Sequence, residues 1–372
     1  MRSMPSIKKV MMIQSNYDTE THKGIARAAQ ELGWHLNVSM MNAFQIPKHW
    51  KGDGIICSMD NNRQLEEFIR NAGLPCVDLS EWRSDLHLPR VSADNKRIGQ
   101  MAAEHFRAFG HRSFAYISYR QHPVSEARYH GFKKELAAHG MPPPSRLVGR
   151  HSQDEIMQWL DTLAKPSSIL AYNDVDAAWL LSNCMEAGYR VPEDFAILGV
   201  DNNLLICEHQ PVPLSSINHD HERIGYEGAQ LLAQIMNGIP PKQGIIYIEP
   251  AGITQRASTN ALATNDPLVR QTMIYLQQNL RHPIGTPEIA HELGISRRNL
   301  EKRFQRELGS SIHKKLTELR LKRAENLLCH GTRSVEEIAA LCGFCHAPHL
   351  CRVFKKEYGL SPLAYRKANT GT

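Results

Sequence analysis

A repeated alternation of short apolar runs with helix-forming segments over the first 260 residues most constrains what this chain can fold into. Residues 9–13 and 54–57 are apolar runs of strand length, whereas residues 22–32 and 65–71 carry apolar side chains at helical spacing. Further strands are predicted at residues 34–40 and 75–78. Strands that alternate with helices predict right-handed βαβ units built on a parallel sheet.

The alternation starts again after residue 92, which predicts a second lobe of the same build. The predicted helices are 96–109, 125–139 and 175–187, and the predicted strands are 113–117, 168–171 and 195–200. Ligands of open α/β sheets lie beyond the carboxyl ends of the strands. The sequence therefore predicts a two-lobed α/β domain that binds a ligand in a cleft between its lobes.

The charge is distributed unevenly along the 372 residues. Of the 44 Lys and Arg and the 38 Asp and Glu residues, 18 basic and 10 acidic ones lie in residues 264–372. That segment therefore carries about +8 and the remainder about −2, which indicates a polyanion-binding module behind a near-neutral domain. The alternative at this point is a surface that is simply rich in Lys and Arg.

Neither a secretion signal nor a membrane segment is predicted. The N-terminus lacks the apolar core of a signal peptide, and no run approaches the roughly 18 apolar residues that a span needs. The eight cysteines are scattered without the spacing of a disulfide framework, which fits a reducing compartment. We therefore expect a cytoplasmic protein with no membrane partner.

Residues 7–259 carry a resemblance to a known family. The matching segments are Val91-Ser92-Ala93-Asp94-Asn95, Gly110-His111-Arg112, Arg128 with Gly131-Phe132, Tyr172-Asn173-Asp174, Gly199-Val200-Asp201-Asn202 and Arg256-Ala257-Ser258-Thr259. They resemble LacI-type, periplasmic-binding-protein-like sensor domains in order and spacing. LacI-type repressors begin with a DNA-binding headpiece, whereas this chain starts at the first sensor strand, so we expect the DNA-reading part elsewhere.

The resemblance implies a small sugar in the cleft. The expected ligand-binding residues are Asp18, Arg128, Asn173, Asp174 and Asp201. Carboxylates accept paired hydrogen bonds well, but a single acidic residue after a strand is also a common helix cap. Weaker candidates on loops are Tyr17, Asp60, Trp82 and His151.

Two helix-turn-helix patterns follow residue 265. In the first, Thr286 is the predicted N-cap of one helix, Gly294 makes the turn, and Ser296 caps the next helix at residues 297–308. The apolar side chains of that second helix are Leu300 and Phe304, which we expect to face the core. The pattern is that of a helix-turn-helix with a polar recognition face.

The arrangement recurs about fifty residues later, with a first helix and turn at 334–344 and a second helix at 347–358. Residues 312–329 predict one connecting helix, and the spacing predicts recognition helices about one DNA turn, roughly 34 Å, apart. The motif consists of Gly343-Phe344, Arg352-Val353-Phe354-Lys355-Lys356, Gly359, Ser361-Pro362 and Tyr365-Arg366. It resembles the AraC-type DNA-binding domain.

This second resemblance implies which residues contact DNA. The expected residues are Arg297, Arg298, Glu301, Lys302, Arg352 and Lys355. Arg352 is expected to read a base, since Arg to guanine is the commonest specific contact, and the alternative is a phosphate contact. Ala347 and Pro348 occupy positions that are usually polar, so the second helix is expected to read fewer bases than the first.

A crowded set of thiols and imidazoles offers a competing interpretation. The set is Cys342, Cys345, His346, His349 and Cys351, and its spacing suggests zinc. These residues straddle the turn and the start of a recognition helix, and Cys342 is expected to face the core between the helices. A rigid four-ligand site conflicts with that geometry, so we expect no metal, and no cofactor is expected elsewhere.

The expected fold is an α/β two-lobed periplasmic-binding-protein-like sensor followed by an all-α domain with two helix-turn-helix units. The sensor takes residues 1–259, a linker takes 260–265, and the DNA-binding domain takes 266–372. A LacI-type sensor joined to an AraC-type domain resembles regulators of bacterial sugar operons. This pairing implies an activator of sugar-utilisation genes that responds to an aldopentose such as xylose.

The expected partners are double-stranded operator DNA, the sugar effector, a second copy in a homodimer, and RNA polymerase if the protein activates. The alternative is a cytoplasmic sugar-binding or sugar-processing protein whose C-terminal domain does not bind DNA. No nucleophile elbow, phosphate loop or dinucleotide-binding glycine motif is present in the sequence. We therefore expect the protein not to be an enzyme.

Overall fold

A computed structural model describes residues 7–39, 50–83, 85–241, 244–260, 266–282, 284–329 and 333–370. The chain divides into two compact units, one formed by residues 1–108 and 112–260 and the other by residues 109–111 and 261–372. We call the first the α/β domain and the second the helical domain. Apart from residue 260, the predicted linker lies outside the described residues, so its boundaries stay a prediction.

The first lobe of the α/β domain is built on a parallel sheet. Its described strands are β1 (Lys9–Gln14), β2 (His35–Asn37), β3 (Gly54–Ser58), β4 (Cys76–Asp78), β5 (Arg90–Ala93) and β11 (Ile245–Ile248), in the order β11-β5-β4-β3-β1-β2. Consecutive residues of β1 from Val10 to Ile13 are all buried. An uninterrupted apolar strand is expected where helices cover both faces of a parallel sheet.

The second lobe repeats this design. Its described strands are β6 (Phe114–Ser118), β7 (Ser145–Val148), β8 (Ser167–Ala171), β9 (Phe195–Val200), β10 (Ser215–Asn218) and β12 (Gly252–Thr254), in the order β12-β10-β9-β8-β6-β7. Neighbouring strands are parallel, except that β12 runs antiparallel to β10. The central strands β8 and β9 are buried throughout.

Helices flank both sheets. The first lobe contains α1 (Thr19–Glu31), α2 (Arg63–Ala72) and α8 (His221–Met236). The second lobe contains α3 (Asn95–Ala108), α4 (Pro123–Ala138), α5 (Gln153–Thr162), α6 (Asp174–Glu186) and the short α7 (Leu204–Cys207). No described helix combines the length and the apolar character that crossing a bilayer requires.

Within the described residues the chain passes between the lobes at three points. The crossings lie between β5 and α3, between β10 and α8, and between β11 and β12. Backbone hydrogen bonds join the crossings: the N–H of Asp94 donates to the carbonyl of Ile248 at 2.8 Å, and that of Ala251 donates to Asn218 at 2.8 Å. The three crossings therefore form a connected hinge at the carboxyl ends of the strands.

Each lobe has one pair of helices that cross at close range through glycines. In the first lobe α1 and α8 cross at Gly24 and Gly225, where a Cβ on Gly24 would lie 1.9 Å from a carbonyl oxygen of α8. In the second lobe α3 and α4 cross at Gly99 and Gly131, where a Cβ on Gly99 would lie 2.0 Å from the carbonyl oxygen of Arg128. Any side chain at these positions would force the backbones apart.

We predict that Gly99→Ala lowers the free energy of unfolding of the α/β domain by about 1–3 kcal/mol, because α3 and α4 must separate to admit the methyl group. The loss is expected even though alanine favours a helix over glycine by about 1 kcal/mol. Gly244→Ala is the matched control, since no atom lies within 4 Å of its added Cβ. Urea unfolding measures both, and equal stability of the two variants would contradict the prediction.

The helical domain consists of two helix-turn-helix units and their connections. Its described helices are α9 (Pro267–Gln278), α10 (Thr286–Glu292), α11 (Arg297–Leu308), α12 (Ile312–Cys329), α13 (Val335–Leu341), α14 (Ala347–Tyr358) and α15 (Pro362–Thr370). The first unit is α10 with α11, the second is α13 with α14, and α12 connects them. Each unit has its own apolar core.

The first unit confirms most of the local predictions. Ser296 caps α11 by accepting the N–H of Asn299, and Leu300 and Phe304 are wholly buried. Full burial of such side chains stabilises the fold by about 1.5–3 kcal/mol each. The predicted N-cap at Thr286 is wrong by one residue.

The N-cap of α10 is Gly285 rather than Thr286. The carboxylate of Glu288 accepts the Gly285 N–H at 3.0 Å, which satisfies a donor that the first turn leaves unpaired. Thr286 therefore becomes the first residue of the helix.

The second unit repeats the first at an offset of fifty residues. Leu350 and Phe354 of α14 are wholly buried, as are Leu300 and Phe304 of α11. Cys342 is also fully buried in the core between α13 and α14, as predicted. The fold class predicted from the sequence is therefore confirmed for both domains.

Candidate functional site

Arg128 is the most heavily engaged polar side chain at the hinge of the α/β domain. It is 3% exposed, and its guanidinium donates to Asn95 Oδ1 at 3.0 Å and to the carbonyl oxygen of Tyr172. Its Nη2 also lies 3.4 Å from His219 Nδ1, and its Cζ lies 4.8 Å from the centre of the Tyr172 ring. The described residues place no carboxylate within 4 Å of this buried cation, although buried charges are usually paired.

Asp201 lies at the carboxyl end of β9, in the same part of the α/β domain. Its Oδ1 lies 3.4 Å from His219 Nδ1 and 4.0 Å from His221 Nε2. Its side chain is 29% exposed, and its φ of 114° is a backbone conformation that non-glycine residues rarely adopt. No group among the described residues donates a conventional hydrogen bond to this carboxylate, so its lone pairs remain available to a ligand.

Asp18 approaches the same histidines from the first lobe. Its carboxylate caps α1 by accepting the Thr21 N–H at 2.6 Å, and it also lies 3.3 Å from His221 Nδ1. His221 therefore lies between Asp18 of the first lobe and Asp201 of the second. The structure thus brings together three of the predicted ligand-binding residues, Asp18, Arg128 and Asp201.

Asn173 and Asp174 have structural roles at the start of α6. The side-chain oxygen of Asn173 caps the helix by accepting the Asp176 N–H at 2.8 Å. Asp174 is fully buried, with Oδ1 accepting from Ser216 Oγ at 2.6 Å and Oδ2 accepting from the Asn203 N–H at 2.8 Å. Their assignment to the ligand stays a prediction, but the carboxylate of Asp174 is already occupied by groups of its own lobe.

The weaker candidates are dispersed. Tyr17 is 47% exposed, with its hydroxyl 3.0 Å from His22 Nδ1, and Asp60 accepts the Asn62 N–H at 2.9 Å in a local turn. Trp82 stacks on His122, with ring centroids 4.1 Å apart. The remaining candidate is His151, whose Nδ1 lies 3.9 Å from Oε2 of Glu155.

Sequence reasoning missed His219 and His221, which together with Asp220 follow β10 directly. Their rings lie 3.7 Å apart, and His219 is 6% exposed. Burial lowers the pKa of His219 well below its usual value, and the charges of His221 and Arg128 lower it further. The available signal was two histidines two residues apart at the end of a strand.

Asp201, His219 and His221 each offer one ligand atom, and these atoms lie within 4.8 Å of one another. That spacing is within reach of a metal ion. However, Nη2 of Arg128 lies 3.4 Å from Nδ1, one of the two nitrogens with which His219 could bind an ion. A positive charge at that nitrogen disfavours a second cation and favours a neutral polar ligand.

Burial raises the pKa of Asp201 to about 7, and the charge of Asp174 raises it further. The folded protein therefore holds a proton on Asp201 that the unfolded chain releases near pH 4, so this group's contribution to stability is lost as the pH rises to 7. We predict that the stability gained by Asp201→Asn over wild type grows from pH 5 to pH 8. Urea unfolding at each pH measures this difference.

The control for this experiment is Glu67→Gln, which replaces an exposed carboxylate on α2. Its stability difference from wild type is expected to change little over the same pH range. If the stability difference between Asp201→Asn and wild type also stayed constant with pH, the pKa of Asp201 would not be raised in the folded protein, and the prediction would be wrong.

The recognition helices of the helical domain expose most of the predicted DNA-binding side chains. Arg298 and Lys302 project from α11 to solvent, and Arg352 and Lys355 project from α14. Arg297 is also exposed, but its Nε donates to Glu301 Oε1 at 2.8 Å on the same helix. These exposed cations are suited to the phosphates and guanine edges of a DNA groove.

The thiols and imidazoles of the second unit are used by the fold itself. His346 caps α14, its Nδ1 accepting the His349 N–H at 3.1 Å, and its ring lies 6.0 Å from that of His349. Cys342 is buried whereas Cys345 is exposed. Among the described residues, these side chains do not form a group of three with ligand atoms close enough to share a metal ion.

Comparisons with known proteins agree with both domains. Residues 103–259 match the model of a periplasmic binding protein-like domain, and residues 289–368 match that of a helix-turn-helix domain. The xylose operon regulatory protein of Haemophilus influenzae is 30% identical over 331 residues, covering 84% of each chain. That of Escherichia coli K12 is 28% identical over 377 residues, covering 95% of each chain.

A solved structure extends this likeness to nearly the whole chain. The xylose-binding transcription activator is 25% identical and superimposes with a TM-score of 0.61, covering 98% of this chain and 99% of that one. The two domains and these matches define a class, the transcriptional regulators that join a LacI-type sensor to an AraC-type DNA-binding domain. Within this class, the chain belongs to the family of the bacterial xylose operon regulatory proteins.

Proposed function

We propose that this protein activates sugar-utilisation genes when a small neutral sugar, an aldopentose such as xylose, binds between the lobes of its α/β domain. The observation that carries the proposal is that buried Arg128 and Asp201 both approach His219 at the hinge, each with one atom 3.4 Å from His219 Nδ1. Arg128 has no carboxylate partner within 4 Å among the described residues, and Asp201 accepts no conventional hydrogen bond from them. The names of the relatives, xylose operon regulatory proteins, support the sugar class.

A sugar hydroxyl matches both groups chemically. Its oxygen accepts a hydrogen bond from a guanidinium, and its hydrogen is donated to a carboxylate. A neutral polyol between Arg128 and Asp201 would therefore satisfy both without adding a charge to the cleft. An anionic or cationic ligand would leave one of the two groups facing a like charge.

The helical domain would bind double-stranded operator DNA through α11 and α14. The exposed cations on these helices support phosphate contacts, which give affinity without sequence information. Base reading is assigned to Arg298, Lys302 and Arg352. The alternative, a sugar-binding or sugar-processing protein whose C-terminal domain does not bind DNA, predicts no such basic recognition faces.

We propose further that two copies act as a homodimer in the cytoplasm and that the DNA-bound form contacts RNA polymerase. Sugar binding would favour the state in which the two helical domains are arranged for adjacent DNA sites. Thermodynamic linkage then requires that DNA raise the affinity for sugar by the same factor that sugar raises the affinity for DNA. No enzymatic step is part of this proposal.

We predict that one monosaccharide, with D-xylose the expected one, binds the full chain and stabilises it by about 2.7 kcal/mol at 100 times its dissociation constant. At pH 8, where the carboxylate is ionised, Asp201→Ala should weaken binding at least tenfold, because it removes a charged hydrogen-bond acceptor worth about 1.5–3 kcal/mol. Asp154→Ala, at an exposed carboxylate of α5, is the control. Calorimetric titration measures all three proteins, and unchanged affinity of Asp201→Ala would remove Asp201 from the site.

We predict a division of labour between the recognition helices. The double variant Arg298→Ala with Lys302→Ala should lose discrimination at several base pairs, whereas Arg352→Ala should relax it at one or two. The reason is that each paired hydrogen bond to a base contributes roughly 1–3 kcal/mol of discrimination, and α14 presents Pro348 where α11 presents Arg298. Binding to a library of singly substituted operators measures this.

The control for the library experiment is Lys322→Ala, at an exposed cation of the connecting helix α12. It should leave the ranking of operators unchanged. A uniform loss across all operators for Arg352→Ala would assign that residue to a phosphate instead. Wild-type protein that shows no salt-dependent DNA binding at all would favour the sugar-binding alternative.

A further inference from the structure

His122 lies between the two lobes of the α/β domain. It ends the loop between β6 and α4 in the second lobe, and it is 6% exposed. Its ring stacks on Trp82 of the first lobe, with centroids 4.1 Å apart and planes 12° apart. On the second-lobe side, the Tyr172 ring lies nearly perpendicular to it, with centroids 4.5 Å apart and planes 82° apart.

The position of the proton on His122 follows from its contacts. Burial lowers the pKa of this imidazole to about 4, and the charges of Arg128 and Arg120 lower it further, so the ring is neutral at pH 7. Its Nδ1 caps α4 by accepting the Ser125 N–H at 3.4 Å. A neutral imidazole carries one N–H, and Nδ1 supplies a lone pair, so the proton is on Nε2.

The Nε2–H of His122 is a buried donor without an acceptor. It makes no hydrogen bond with any described residue, and its surface is inaccessible to solvent. Buried polar groups are normally paired, and a donor left unpaired costs more than the net gain from an ordinary hydrogen bond. The hinge therefore contains a buried donor, His122 Nε2–H, and an acceptor, the Asp201 carboxylate, whose hydrogen-bonding capacity the described residues do not satisfy.

We propose that His122 is a specificity-determining residue, whose Nε2–H donates a hydrogen bond to a hydroxyl oxygen of the bound sugar. This inference rests on the proposed sugar site at Arg128 and Asp201. Because His122 stacks on Trp82 of the other lobe, closure without sugar buries the donor unsatisfied. A hydroxyl at Nε2 removes this penalty, so the sugar and the closed arrangement stabilise each other.

The test uses the full chain and the monosaccharide that binds wild type most tightly, with D-xylose expected, together with its single-deoxy analogues. His122→Asn keeps an oxygen that can cap α4, and His122→Phe keeps an aromatic ring for Trp82. Both variants lose the Nε2–H, and the shorter Asn side chain does not place its amide N–H at that position, so calorimetric titration should show both binding the sugar about 10- to 100-fold more weakly. His130→Asn, at an exposed histidine of α4, is the control and should bind like wild type.

The deoxy analogues identify the hydroxyl. In wild type one analogue should bind at least tenfold more weakly than the sugar, and in both His122 variants that difference should disappear, since the partner is gone. A second readout is urea unfolding without sugar. The stability that His122→Asn loses without sugar should then be smaller than its loss of sugar-binding free energy, because the side-chain oxygen retains the cap of α4.

Three outcomes separate the two proposals. If the variants bind sugar with wild-type affinity, or keep the wild-type ranking of deoxy analogues, the role of His122 is overturned while the sugar site stands. If His122→Asn is destabilised without sugar and its ranking of analogues is unchanged, His122 is only a structural residue and the inference is again overturned. If wild type binds no monosaccharide, the proposed function and this inference fall together.

Discussion

The close approach of helix backbones at glycine pairs is the constraint on which the α/β domain depends. Gly24 with Gly225 and Gly99 with Gly131 let two helices in each lobe cross with no side chain between them. Each glycine weakens its own helix by about 1 kcal/mol relative to alanine, so the sequence accepts a local loss for the sake of the crossing. The crossings lie near the helix N-termini, which hold Asp18, His221 and Arg128 at the hinge.

At that hinge the fold satisfies the hydrogen-bonding capacity of the polar side chains only in part. Arg128 donates its hydrogen bonds to neutral acceptors rather than to a carboxylate. Asp201 has a strained backbone conformation and a carboxyl group whose pKa is raised. The Nε2–H of His122 is buried without an acceptor. Asp174 of the same lobe shows the contrast, because both of its carboxylate oxygens accept hydrogen bonds from protein groups. Groups whose hydrogen bonds the fold leaves unmade favour a complex selectively, since a ligand adds hydrogen bonds that the protein's own groups do not make.

The sequence predicted the strand–helix alternation well because each βαβ unit is local. It did not predict β7, a short edge strand of the second sheet, or β5, β10, β11 and β12, the short strands next to the crossings between the lobes. His219 and His221 were missed for the same reason. His221 contacts Asp18 only because α1 and α8 cross, and nothing in the sequence pairs Gly24 with Gly225. Arg128 and Asp201 were proposed as ligand-binding residues through resemblance, whereas the burial of Asp174 depends on contacts that no local pattern contains.

In the helical domain, the two helix-turn-helix units share their buried residues but differ in their exposed ones. At an offset of fifty residues, the buried positions are identical in the two units: Leu300 and Leu350, and Phe304 and Phe354. The exposed starts of the same helices differ, with Arg298 in α11 matched by Pro348 in α14. Proline is tolerated there because the first turn of a helix has no intrahelical partner for its N–H. Proline in place of arginine at this position therefore destabilises the fold little, while it removes the guanidinium as a hydrogen-bond donor to DNA. The two units can thus differ in their DNA contacts without differing in structure.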